Sequence, residues 1–116
     1  MKLNNMSNLI EERKKSQDLQ DELFTQIKQI DKIINDTTEI QKQLNYKWNK
    51  EDEDLRNSRY SAFFSEKNAE SKNNYRSILY QLNDSKSFMQ KELKKQRERE
   101  SEISFKILKE KEKEDG

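Results

Sequence analysis

The chain carries no Pro at all, and its single Gly is the last residue, 116. Those two residue types make most tight turns, Gly by reaching positive φ and Pro by presetting a bend. A sheet needs a turn after every strand, whereas two long helices need one. Val, a strand-favouring residue, is absent too. Lys, Glu, Gln, Leu and Arg, all good helix formers, are abundant. The expected fold class is all-α.

Charged residues make up 41% of the chain and hydrophobic residues 29%. Such a chain cannot enclose a thick core, but it can line one stripe of a helix, and that stripe must meet another. The 24 basic and 23 acidic residues leave a net charge of +1. They are interspersed, so no strong field forms for nucleic acid or anionic lipid. No apolar run reaches the roughly 20 residues that span a bilayer. Met1–Ile10 lacks an apolar signal region, so no cleavable secretory signal is expected. Without Cys there is no disulfide framework.

Asn8 followed by Glu11 resembles a capping box, which predicts a first helix over about 8–47. Within it Leu23, Ile30, Thr37 and Leu44 are spaced by seven. Ile27, Ile34, Gln41 and Trp48 form a second track. Asn49 reads as the cap of a second helix over about 51–110. Glu51, Asp52, Glu53 and Asp54 would then sit at its positive end. The turn is therefore expected at 46–50. Asn57–Ser58 is the other candidate, and it would make the arms nearly equal. In the second helix Tyr75, Leu82, Met89, Gln96 and Ile103 lie on one seven-residue track. Leu79, Lys86, Leu93, Glu100 and Ile107 lie on its neighbour. Residues 1–8 and the charged tail 111–116 are expected to fray.

The usual catalytic groups are missing: there is no His, no Cys and no Gly-rich phosphate loop. The expectation is a non-enzyme with no cofactor and no metal. Glu51–Asp54 lacks the alternating ligands and Gly of a calcium loop. Between Lys91 and Glu102 five bases alternate with acids, the pattern of a solvated helix face. Trp48 beside Tyr46 either packs the turn or docks a partner, and Tyr60, Phe63 and Phe64 form an aromatic knot with the same two readings.

Two long helices around Tyr46-Lys47-Trp48-Asn49-Lys50 resemble the WXG-type helical hairpin proteins of type VII secretion in Gram-positive bacteria. Lys50 stands where that motif has Gly. The second half carries Phe63, Phe64, Glu66, the stretch Tyr75 to Leu79, and Gln96-Arg97-Glu98-Arg99-Glu100. It looks more like the LXG-associated α-helical (Lap) subgroup. Tyr80 and Asp84 match the Tyr-x-x-x-Asp/Glu export pattern, though in mid-helix. The resemblance implies a non-enzymatic targeting partner, or chaperone, in the cytoplasm or co-secreted with its client. It would bind the helical N-terminal domain of an LXG-type toxin or effector, alone or beside a second small helical protein.

The resulting expectation is an elongated antiparallel helical hairpin, coiled-coil-like, that completes a multi-helix bundle with a partner. The residues expected to bind that partner are Leu23, Ile27, Ile30, Ile34, Trp48, Phe63, Phe64, Leu79, Leu82, Met89 and Leu93. No nucleic acid and no membrane insertion are expected. The alternatives are a structural coiled coil resembling a secretion-ATPase stalk, or a self-associating homodimer.

Overall fold

The computed structural model describes residues 2–115, with side chains described over 5–114. Two helices account for nearly all of it: α1, Lys2–Leu55, and α2, Ser61–Asp115. The fold is an all-α helical hairpin. Contacts divide the chain into two compact units. One comprises Met1–Lys28 with Ser87–Gly116, and the other is Gln29–Lys86. The first is a pair of helix ends, and the second is a hairpin that contains the turn.

The helix limits differ from the sequence expectation, and the reason is packing. Asn8 lies inside α1, because the inward-facing pattern of half-buried Leu9 continues upstream of Asn8 to half-buried Met6. The expected turn at 46–50 is helical. Trp48 and Leu55, seven residues apart, are both half-buried, so the helix continues until Leu55 has been turned inward. Glu51–Asp54 consequently lie near the carbonyl end of α1, where the helix dipole disfavours them, and no base sits in that last turn. Each such charge at an exposed helix end costs about 0.3–1 kcal/mol and is screened by salt. Fully burying a large apolar side chain is worth about 1.5–3 kcal/mol, so half-burying Trp48 and Leu55 together offsets an end cost of similar size. The stretch 111–115 is helical as well; Met1 and Gly116 lie outside the described residues.

The chain reverses over residues 56–60. Asn57 takes φ 73°, the one positive φ among the described residues. Asn tolerates this left-handed conformation better than other residues with a Cβ, and it commonly ends helices. The Ser58 N–H donates to the Leu55 carbonyl (2.8 Å), closing α1. The Ser58 hydroxyl oxygen accepts from the Tyr60 N–H (3.1 Å), and its carbonyl accepts from the Ser61 N–H (3.2 Å). Ser58 therefore acts as the cap that opens α2. Replacing it with Ala should cost about 1 kcal/mol, the usual worth of a Ser cap, read as a lower urea midpoint with unchanged slope.

In the unit of paired helix ends, Leu23, Ile27 and Leu93 are buried as a cluster, with Met89 packed against it. Ile103 and Ile107 are its most deeply covered apolar residues, 3% and 4% exposed. In the hairpin unit Ile30 is buried, and so is Gln41, whose side-chain N–H donates to Asn45 Oδ1 at 2.9 Å. The Thr38 and Tyr75 hydroxyls meet at 3.1 Å across the seam, and Lys86 pairs with Asp31 at 2.6 Å.

Candidate partner-binding surfaces

The residues expected to meet a partner divide into three groups. Leu23, Ile27, Ile30 and Leu93 are buried within the chain's own seam. Ile34, Leu79, Leu82 and Met89 are half-buried. Trp48 and Phe64 are half-buried too, with ring centroids 5.8 Å apart and planes tilted by 54°. Phe63 is 53% exposed and meets Phe64 edge-on at 5.5 Å, with the Lys67 ammonium 5.5 Å from its ring centre. Tyr46 is exposed rather than packed with Trp48 against α2. The aromatic knot is therefore half seam and half surface.

An open apolar groove lies beside the seam in the hairpin unit. Ile40, Leu44 and Trp48 from α1 line a groove of about 370 Å³ with Tyr75 and Ile78 from α2. Ile40 is 56% exposed and Ile78 47%. Ile33 lies seven residues before Ile40, hence on the same face, and is equally open. Lys67, Glu70, Asn74 and Gln41 supply the polar edge of the groove. Ile33, Ile40 and Ile78 were absent from the expected binding set. The signal for them was present in the seven-residue step from Ile33 to Ile40, but it fell one position outside the two main tracks.

Two exposed aromatics on the other unit, Phe24 and Phe105, have partial cover, whereas Phe88 is 64% exposed. The Lys28 ammonium lies 4.5 Å above Phe24, and that of Lys109 lies 4.8 Å above Phe105. Such contacts are worth about 0.5–1 kcal/mol at exposed sites, and the lysine stems shield the rings. The isoleucines of the groove offer no π face for a cation and lie open to solvent. Scattered apolar residues are ordinary on a surface, but a contiguous open patch marks an interface.

A polar layer interrupts the seam of paired helix ends. Ser16, 3% exposed, donates to the Gln96 backbone carbonyl (2.9 Å) or to its side-chain oxygen (3.1 Å). Gln20 Nε2 donates to Glu100 Oε2 at 2.6 Å, and Gln17 Nε2 donates to Glu100 Oε1 at 2.9 Å. These bonds, Gln17 first and then Gln20, hold the Glu100 carboxyl below its ordinary pKa. The charge of Arg13 adds to them and desolvation opposes. Folding thus favours the ionised form. The stabilising contribution is complete above the unfolded-state pKa and is lost as pH falls through the folded one. Stability measured by urea unfolding should decline on acidification through this range. The decline should be shallower in Glu100→Gln, which has no charge to lose. An unchanged acid profile would remove Glu100 from the account. The layer also fixes register, because a slip of either helix strands several polar groups in the seam.

No three His, Cys, Asp or Glu side chains among the described residues are grouped to hold a metal ion, and no described helix is long and apolar enough to cross a membrane. Comparison with family models, curated proteins and solved structures gave no match.

Proposed function

We propose that the protein is a non-enzymatic helix-binding partner whose hairpin unit receives an amphipathic helix of a client protein. The observation that carries this reading is the open groove of Ile40, Leu44 and Ile78 beside Trp48. A third helix laid along two others buries its apolar face at i, i+3, i+4 and i+7, the common mode of helix-in-groove recognition. Two helices alone leave such a face uncovered, and three or four are the usual number for a closed bundle.

The resemblance to Lap proteins gives the client its class: the helical N-terminal domain of an LXG-type secreted toxin or effector. On this reading the protein shields that domain in the cytoplasm and accompanies it to the secretion machinery, alone or with a second small helical protein. The test is co-expression of the full chain with such a domain, followed by affinity purification through the client. A stoichiometric complex supports the reading. If the protein stays unbound with LXG-type domains while folded and helical, the client class is wrong.

A further inference from the structure

We propose that the chain also forms an exchanged dimer. Residues 56–60 become helical, α1 and α2 run on as one helix, and each half pairs with the complementary half of a second copy. The proposal concerns the turn and stands independently of the client.

Four observations converge on it. The turn, Arg56-Asn57-Ser58-Arg59-Tyr60, contains neither Gly nor Pro, so nothing in it forbids a helix. The bend depends on a single left-handed residue, Asn57, and on the few hydrogen bonds around Ser58. Short hinges of this kind are the usual sites of exchange between copies.

The second observation is phase. Ser16, Leu23 and Ile30 in α1 and Leu79, Lys86, Leu93, Glu100 and Ile107 in α2 fall on one seven-residue track, and all are buried or half-buried. One continuous helix, slightly under-wound, would keep that track on a single face. The stripe shifts close to the turn, where Leu55 and Phe64, nine residues apart, would face nearly opposite ways.

Register is the third. Gln20 bonds to Gln96, and Asp31 pairs with Lys86. Both pairs are centred on Ser58 or the bond after it. A two-fold axis at that point pairs between chains the same residues that these two contacts pair within one. The fourth is electrostatic. Glu51–Asp54 stand at the carbonyl end of α1 with no base in its last turn. Continuing the helix uses those carbonyls in hydrogen bonds and removes the unfavourable end.

The balance between the two forms should turn on Asn57. The test is light scattering after size exclusion over a concentration series, for the unaltered chain, Asn57→Ala and Asn57→Gly, with hydrogen exchange of the 56–60 amides in each fraction. Ala resists the left-handed conformation in each of two chains, so its dimerisation constant should rise about ten- to a hundredfold. Gly adopts that conformation freely and weakens helices, so Asn57→Gly should shift the chain toward monomer. In the exchanged dimer the 56–60 amides become protected. An Asn57→Ala chain that stays monomeric throughout the series overturns the proposal. So does a dimer whose 56–60 amides exchange as fast as in the monomer, or one that Ile40→Lys dissolves, since that dimer would pair through the groove instead.

Discussion

A Leu93→Ala chain should melt roughly 8–12 °C below the unaltered protein. Leu93 is 7% exposed and closes a cluster with Leu23 and Ile27, with Met89 against it. Removing a buried Leu side chain costs about 2–5 kcal/mol, depending on how far the site collapses. A seam between two helices has open flanks, so the side chains can close in and water can reach what remains. The cost should therefore lie near the lower end, about 2–3 kcal/mol. For a chain of this length each kcal/mol moves the melting temperature by about 4 °C. The paired control is Leu108→Ala, at a site 54% exposed, where a change within about 0.5 kcal/mol is expected. Thermal circular dichroism reads both. Equal shifts at the two positions would mean that Leu93 is not held in an intramolecular seam.

The seam was legible because it is periodic. Leu23, Ile27, Ile30 and Leu93 lie on seven-residue tracks, and burial follows those tracks. Ser16 continues the same interval back from Leu23, so its place in the seam was also written in the spacing, although its residue type argued for solvent. What periodicity does not encode is the occupant. It says that a face is covered, not whether the chain's other helix or another protein covers it. The buried members of the expected binding set contact their own chain, and the open apolar surface lies one position to the side, at Ile33 and Ile40.

Of the two candidate turns the chain takes Asn57–Ser58, and 46–50 competed with it for a related reason. Asn49, with four acids from Glu51 to Asp54 just beyond it, has the local chemistry of a helix start, whereas no acid follows Asn57 in the next turn. Local capping and dipole terms amount to about a kcal/mol each. They yielded to the inward positions at Trp48 and Leu55, which keep α1 helical past Asn49. Asn57 then supplies a left-handed residue, and Ser58 a cap, at the first position after Leu55 where the stripe no longer requires α1.

A chain carrying both Ile40→Lys and Ile78→Lys should keep its fold and lose its client. Both side chains are about half exposed, so charging them buries no ion and should change stability little. Each new ammonium would instead lie in the path of an incoming apolar helix. Residues at the centre of an interface cost about 2 kcal/mol or more when removed, and two together should weaken binding by about a thousandfold. A charge left in a desolvated contact adds to that loss. Titration of the labelled effector domain, with circular dichroism on the same samples, separates the two effects. Ile30→Lys is the contrasting variant: Ile30 is 8% exposed within the seam, so it should lose binding only by losing helicity as well. Undiminished affinity in the Ile40/Ile78 variant, with helicity intact, would place the client elsewhere. The exposed aromatic edge formed by Tyr60 and Phe63 would then be the surface to alter next.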